Sequence, residues 1–228
     1  MPQIRLEVLF HIRFATEICR HLTETLFIIN PVAARGTTLR RWVEARPRLL
    51  ARGIEFSEHI TTQEGEAIQV TREAINRGIA RVVAVGGDGT LNGVVNGYLD
   101  ESGRALNPEA ALGLFPSGTG SDFRRSLGLR TITDSIEALV GTTTRRVDAM
   151  KIVFRGSDGV ELTRFGVNVA SFGLGGETVA QVNRWRETLP SWIGGRTRFI
   201  AAAVSALDRK STRLNSSHSD RSRMPSSA

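Results

Sequence analysis

One stretch of the chain, residues 82–97, constrains the fold more than any other. An apolar, β-branched run at 82–85 stops abruptly, and apolar residues recur at helical spacing over 91–95. Between them lie Gly86, Gly87, Asp88 and Gly89. This order predicts a strand, a tight turn and a helix. Because glycines let the backbone approach an anion and the first amides of a helix attract one, the stretch predicts a phosphate-binding turn.

Asp88 places a negative charge in this predicted anion site. A carboxylate repels a bare phosphate, so we expect a cation such as Mg²⁺ to lie between the two, or the carboxylate to bind amides and hydroxyls of its own loop. The alternative is an ordinary β–α turn in which Asp88 only caps the helix, as an Asp-Gly-Thr sequence also allows.

A second turn of the same kind follows the apolar run at 112–115. It contains Ser117, Gly118, Thr119, Gly120 and Ser121. Ser121 or Asp122 is then a candidate N-cap for another helix. Ligands of open α/β sheets bind where loops at the carboxyl ends of neighbouring strands converge. The two turns therefore predict a single binding crevice.

These motifs carry a resemblance to a known family. GGDGTLN at 86–92, PSGTGSDF at 116–123 and the upstream Ile29-Asn30-Pro31 together resemble the catalytic domain of the diacylglycerol kinase family, especially its bacterial lipid kinase branch. The GGDGT element alone is shared with NAD kinases and, more distantly, with phosphofructokinases. The combination is more specific, and it implies a nucleotide-binding α/β domain followed by a β-sandwich domain on the lipid side of the cleft.

The resemblance implies that ATP binds in the crevice, with Mg²⁺ held by Asp88 through the nucleotide. The residues it assigns to the nucleotide are Asn30, Pro31, Gly36, Thr61, Gly86, Gly87, Asp88, Gly89, Thr90, Asn92, Gly118, Thr119 and Gly120. Thr61 is equally suited to capping the following helix. The family's presumed general base and a structural Mg²⁺ site lie on an Asp-Gly-Glu segment that this sequence lacks, so no catalytic residue is assigned.

The sequence departs from the family pattern at three positions of the predicted site. Ala34 stands where a glycine is usual, Gly93 where a glutamate is usual, and Ser121 where an asparagine is usual. Gly93 removes a carboxylate near the phosphates and weakens the first turn of its helix by up to about 1 kcal/mol. These departures bear on turnover rather than on ancestry.

Strand and helix patterns divide the chain into regions. Residues 25–142 alternate β-α-β-α-β-α-β, which predicts a parallel sheet with right-handed crossovers in one α/β nucleotide-binding domain. Two alternating runs around 156–159 then predict a β-hairpin, and residues 143–208 are interpreted as a partial β-sandwich domain with helices. Residues 1–24 show no clear turn or cap, and we interpret them as an N-terminal extension that is an extra helix or a misassigned start.

The last segment, 209–228, is rich in serine and almost devoid of apolar residues. It cannot bury a core face, so we expect it to be disordered, and it resembles adaptor-derived read-through rather than native sequence. With five Lys or Arg and one Asp, it accounts for four of the seven net positive charges. The other three net positive charges belong to residues 1–208, which is an ordinary net charge for a domain of this size. No nucleic-acid partner is therefore expected.

The resemblance implies an ATP-dependent lipid kinase that transfers the γ-phosphoryl group to the hydroxyl of diacylglycerol or a related lipid, although this chain is expected to be inactive. Two alternatives remain, an NAD kinase and a non-catalytic nucleotide-binding remnant.

The remaining composition bears on where such a protein acts. All apolar runs are well short of the ~20 residues of a membrane-spanning helix, so no such segment is predicted. The single cysteine, Cys19, excludes an internal disulfide and fits a reducing cytoplasm. We expect a cytoplasmic protein that meets its lipid substrate peripherally at a membrane surface, and we also consider a homodimer.

Overall fold

The computed structural model describes residues 5–15, 24–117, 122–141, 144–156 and 158–170. The strands described there are β1 (Arg5–Ala15), β2 (Thr25–Ile29), β3 (Phe56–Ile60), β4 (Arg81–Gly86), β5 (Ala111–Pro116), β6 (Thr144–Arg155) and β7 (Glu161–Gly166). The helices are α1 (Ala33–Gly36), α2 (Thr38–Ala51), α3 (Glu66–Asn76), α4 (Asp88–Tyr98), α5 (Asp122–Ser126) and α6 (Ile132–Val140). The strands form one sheet in the order β3-β2-β4-β5-β1-β6-β7.

Strands β3, β2, β4 and β5 form the parallel part of the sheet. Ile29 pairs with Ile60 on one side and with Val85 on the other, and Gly86 pairs with Pro116. The carboxyl ends of the four strands therefore lie level along one edge. The predicted α/β class with a parallel sheet is confirmed.

The sheet has a core on each face because successive residues of a strand point to opposite sides. On β2, Leu26 and Ile28 belong to the apolar cluster that includes α3 and α4, whereas Phe27 and Ile29 belong to the cluster of α2 and α6. The β2 and β4 strands are buried throughout. Because both faces of these strands are covered by apolar side chains, their sequences are continuous apolar runs such as residues 82–85.

The N-terminal residues provide a strand that the sequence interpretation missed. β1 pairs antiparallel with β6, from Arg5 opposite Val153 to Ala15 opposite Thr144, and meets β5 in parallel at Phe14 and Leu112. The extra helix considered for residues 1–24 is therefore wrong for residues 5–15. The strand joins the parallel part of the sheet to the antiparallel part.

The hairpin predicted around 156–159 is present. β6 and β7 pair antiparallel, and the backbone amide of Gly156 donates to the Val160 carbonyl at 2.8 Å. The chain divides into two compact units, Met1–Val169 and Ala170–Ala228, and the second lies outside the described residues except for Ala170. The domain boundary at 142/143, the sandwich at 143–208 and the disordered tail at 209–228 stay predictions.

Two glycines of α4 allow α3 to approach closely. A Cβ atom on Gly97 would lie 2.4 Å from the Ile68 carbonyl oxygen, and one on Gly93 would lie 2.9 Å from the Ala67 Cβ atom. Such separations are shorter than van der Waals contact, so both positions need glycine at this helix spacing. Gly93 thus has a packing role, in addition to lacking the carboxylate that the family pattern places at this position.

Within the part of the chain that the structure describes, no helix combines the length and apolarity needed to cross a bilayer.

Candidate functional site

Four turns meet at the carboxyl edge of the parallel strands. Backbone hydrogen bonds link their first residues: the Asn30 amide donates to the Val85 carbonyl at 3.0 Å, and the Thr61 amide donates to Ile29 at 2.9 Å. The Ser117 amide donates to the Gly86 carbonyl at 3.3 Å. The structure therefore brings Asn30, Thr61, Gly86 and Ser117 into one row, as expected for a crevice at this edge of the sheet.

The glycine turn after β4 leaves open space in front of α4. Gly87 is extended, with φ −100°, and among the residues that the structure describes a Cβ atom there or on Gly89 would meet no heavy atom within 4 Å. Gly86 differs, since its Cβ atom would lie 2.2 Å from the Thr90 hydroxyl oxygen. Gly86 thus permits the tight return of the helix, whereas Gly87 and Gly89 border a space toward which the first helical amides point.

Thr90 and Asp88 lie at the start of α4 beside this space. The Thr90 side chain is buried, and its hydroxyl has no hydrogen-bond partner among the described residues. A buried hydroxyl without a partner is unfavourable, which suits a site that a ligand oxygen completes. Asp88 lies in the first turn, where the helix dipole favours a carboxylate. The residues present therefore fit a bound phosphate with its cation.

A metal ion in this site would need ligands from more than protein carboxylates. Among the described residues, no group of three or more His, Cys, Asp or Glu is arranged to hold a metal. Asp88 could supply one oxygen, and phosphate oxygens could supply others. This donor set fits Mg²⁺ carried in with a nucleotide.

The Asn30-Pro31 turn begins with a side-chain hydrogen bond and continues into left-handed backbone. The Asn30 Oδ1 atom accepts from the Val32 amide at 3.1 Å. Ala34, Arg35 and Gly36 then have φ values of 51°, 60° and 78°. A residue with a side chain pays about 1–2 kcal/mol for this conformation, so a glycine at position 34 would be less strained.

A buried hydroxyl pair joins the first and last turns, and sequence reasoning missed it. The Thr38 Oγ1 atom lies 2.7 Å from the Ser117 Oγ atom and donates to the Ala33 carbonyl at 2.9 Å. The Arg41 guanidinium donates to the Ser117 carbonyl oxygen. The start of α2 therefore fixes the residue that opens the second glycine turn. A threonine at the start of a helix is common in sequences, and its hydrogen-bond partner in a distant turn cannot be inferred from the sequence alone.

The positions assigned to the second glycine turn, Gly118, Thr119 and Gly120, lie outside the described residues. Thr61 is buried at the end of β3, and its hydroxyl donates to the Ile29 carbonyl at 3.3 Å. Its assignment to the nucleotide stays a prediction, as do those of Pro31 and Gly36.

Asn92 and Asn96 lie on the face of α4 that meets β7. The Asn92 Nδ2 atom donates to the Phe165 carbonyl at 2.9 Å, and the Asn96 Nδ2 atom donates to the same oxygen at 2.8 Å. The Phe165 amide donates to Asn96 Oδ1 at 2.9 Å. The structure thus places the Asn92 amide against β7, whereas the family resemblance assigns Asn92 to the nucleotide.

Replacing Asn96 by leucine is expected to lower the free energy of unfolding by about 1–3 kcal/mol. The buried Phe165 amide would lose its acceptor, and an unpaired buried donor costs about that much. Urea unfolding measures the change, and Asn76→Leu, at the exposed end of α3, is the matched control. Equal stability of the two variants would show that the bond to β7 contributes nothing.

Glu66, at the start of α3, accepts hydrogen bonds from β3 and from the loop that follows it. Hydrogen bonds from the Thr62 amide at 2.6 Å and from His59 Nε2 at 2.7 Å, aided by the Thr62 hydroxyl and the Gln63 amide, lower the pKa of Glu66 to about 2. The usual carboxyl pKa is 4.5. The ionised form therefore stabilises the loop above about pH 4.5, and this contribution is lost as the pH falls toward 2.

Glu66→Gln should therefore destabilise the protein near neutral pH, and the difference from the natural sequence should shrink as the pH falls below about 4.5. Chemical unfolding across this range measures both effects. Glu73→Gln, farther along the same helix and exposed, is the control. A difference independent of pH would contradict the role of the ionised carboxylate.

The comparisons with known proteins agree with this geometry. The family model of the diacylglycerol kinase catalytic domain matches residues 24–152, which is more than half of the chain. The chain belongs to the diacylglycerol kinase catalytic domain family. The resemblance seen in the sequence is confirmed, and the matched residues of this domain include the four turns at the carboxyl edge.

Curated relatives of the diacylglycerol kinase catalytic domain extend beyond this chain. A Chromohalobacter salexigens protein named "Probable lipid kinase YegS-like" is 33% identical over 189 residues, covering 82% of the chain and 55% of the relative. The Bacillus subtilis protein named "Diacylglycerol kinase" is 32% identical over 123 residues, covering 53% of the chain and 39% of the relative. The chain thus spans about half the length of the longer match.

A solved structure resembles part of the same domain. The crystal structure of a diacylglycerol kinase from Bacillus anthracis matches with a TM-score of 0.46 and 26% identity, over 54% of this chain and 41% of that chain.

Proposed function

We propose that the protein is an ATP-dependent lipid kinase that phosphorylates the hydroxyl of diacylglycerol or a related lipid. The observation that carries the proposal is the open space bordered by Gly87 and Gly89 at the N-terminus of α4, on an edge where four turns meet. Relatives named as lipid and diacylglycerol kinases support the choice of acceptor. The substrate is met peripherally at a membrane, on the cytoplasmic side.

In this proposal the described residues serve the nucleotide side of the reaction. The amides of the glycine turn and the Thr90 hydroxyl bind phosphate oxygens, and Asp88 faces the cation. Mg²⁺, when bound, neutralises charge on the phosphates. The fixed turns supply positioning and electrostatic stabilisation, which account for most of the catalysis of phosphoryl transfer. Asp88 is therefore assigned to the metal rather than to the lipid hydroxyl.

The general base that takes the proton of the lipid hydroxyl is assigned to none of the described residues. We propose that it comes from sequence outside this chain, and that the 228-residue polypeptide binds nucleotide without phosphorylating lipid. Loss of a general base alone commonly costs ~10²–10⁴ in rate. The coverage of the Chromohalobacter salexigens relative, 55%, supports this division of labour.

The test is transfer of labelled phosphate from Mg²⁺-ATP into a lipid extract, with NAD as the competing acceptor. The 228-residue chain is compared with a longer natural protein that contains residues 25–208. We expect the longer protein to label lipid and not NAD. Labelling of NAD alone would replace the lipid kinase by an NAD kinase, and comparable turnover by the short chain would place the base within residues 1–208.

A further inference from the structure

One exposed side of α2 carries a row of apolar side chains. We call Leu39, Val43, Pro47 and Leu50 the outer face of α2. They are spaced by four, four and three residues, so they share one stripe of the helix. All are exposed, with values of 38% for Leu39, 62% for Val43 and 49% for Leu50.

At 3.6 residues per turn, this row lies beside the residues that hold α2 to the sheet. Trp42, Ala45 and Leu49 are buried in the cluster shared with β2 and β4. Single exposed apolar residues are normal on protein surfaces. Exposed apolar side chains that are contiguous and bordered by polar residues are, in contrast, a feature of interaction surfaces.

Arginines outnumber acidic residues along α2 and its flanks. Residues 35–52 contain one acidic residue, Glu44, and six arginines, which are Arg35, Arg40, Arg41, Arg46, Arg48 and Arg52. Arg40 lies three residues before Val43, and Arg46 lies three residues after it, so both border the outer face. Arg46 also pairs with Glu58 at 2.5 Å, and Arg52 pairs with Glu137, whereas Arg40 is exposed. The surface is therefore apolar in the middle and cationic at its borders.

We propose that the outer face of α2 binds the surface of an anionic phospholipid bilayer. Apolar side chains on a basic helix enter the boundary between headgroups and acyl chains, while arginines reach back to anionic headgroups. Pairing with a second copy would oppose two sets of arginines across one interface, which charge repulsion disfavours. The observations thus favour a membrane over a homodimer at this surface.

The position of α2 relates this membrane binding to catalysis, and this part of the inference rests on the proposed lipid kinase function. Thr38, the first residue of α2, is hydrogen-bonded to Ser117 at the entry to the second glycine turn. A bilayer against the outer face of α2 therefore lies beside the edge where the four turns meet. The helix would hold the crevice close to the lipids that it serves.

The test is cosedimentation of the 228-residue chain with vesicles of phosphatidylglycerol or of phosphatidylcholine. We expect binding to phosphatidylglycerol that salt weakens, and at least a tenfold weaker partition for the double variant Val43→Ser, Leu50→Ser. Arg40→Gln should weaken it to a smaller extent. Val160→Ser removes an apolar side chain that is 54% exposed before β7, and it should bind like the natural sequence. Unchanged nucleotide affinity and melting temperature of the double variant would confirm that its fold is intact.

Three outcomes would overturn the inference: no binding of the natural chain to phosphatidylglycerol vesicles, equal binding by the double variant, or a dimer that this variant dissociates. Vesicle binding needs neither ATP nor phosphoryl transfer, so its result is separate from that of the kinase assay. Membrane binding through α2 without transfer by the longer protein would reject the proposed function and keep this inference.

Discussion

Replacing Gly87 by valine is expected to abolish binding of ATP and ADP while leaving the fold intact. The Gly87 backbone is extended, with φ −100° and ψ −168°, a conformation that valine adopts readily. A Cβ atom there would meet no heavy atom of the described residues within 4 Å, apart from its chain neighbours, so the position has room for a side chain among these residues. The valine side chain would occupy the space assigned to the phosphates.

Isothermal titration calorimetry with ATP and with ADP measures this loss, and the melting temperature reports on the fold. Ser57→Val is the matched control, because it adds a β-branched side chain at an exposed position of the edge strand β3. Unchanged nucleotide affinity of a folded Gly87→Val protein would rule out the glycine turn as the phosphate site.

Trp42→Ala is expected to lower the free energy of unfolding by about 3–5 kcal/mol, as truncation of a large buried side chain does. Trp42 is 2% exposed, and its ring centroid lies 4.6 Å from that of Phe27 and 5.7 Å from those of Phe56 and Phe115. These rings come from three strands, so the indole holds α2 against the sheet. The truncation would leave a cavity among them.

Val43→Ala, one residue along the same helix, is the control for this prediction. Val43 is exposed, and its truncation should change the free energy of unfolding by no more than about 0.5 kcal/mol. Urea unfolding of both variants gives the comparison. Similar losses for the two would mean that α2 does not pack as the structure places it.

The parallel sheet and the glycine turn could be predicted because their signals are local. The run at 82–85, the glycines after it and the helical spacing of Leu91, Val94 and Val95 lie within one stretch of sequence. The same holds for the hairpin turn around 156–159. Each pattern reports on neighbours in the chain, and hydrophobic periodicity and turn chemistry suffice to interpret it.

The strand β1 could not be predicted in this way. Apolar residues alternate with others at Leu6, Val8, Phe10, Ile12 and Phe14, which is the period of a strand. The interpretation of residues 1–24 as an extension rests instead on the absence of a turn or a helix cap. The strand pairs with β6, more than a hundred residues away in sequence, and no local signal identifies such a partner.

The site contained contacts that a sequence does not show. The bond between Thr38 and Ser117 joins residues 79 positions apart. From the sequence, Gly93 is only a position that lacks the usual carboxylate. In the structure, the nearby Ala67 leaves no room for a side chain there. Side chains whose role depends on a distant element are identified only once the elements are in place.

The helix α4 serves two parts of the molecule at once. Its first turn borders the phosphate space, and Asn92 and Asn96 hold the Phe165 backbone of β7. Its 11 residues span about 16 Å as one rigid rod. A ligand that changes the position of α4 when it binds the first turn would therefore also displace the contact with the hairpin. By thermodynamic reciprocity, whatever fixes the hairpin changes the affinity of the turn for that ligand by the same factor.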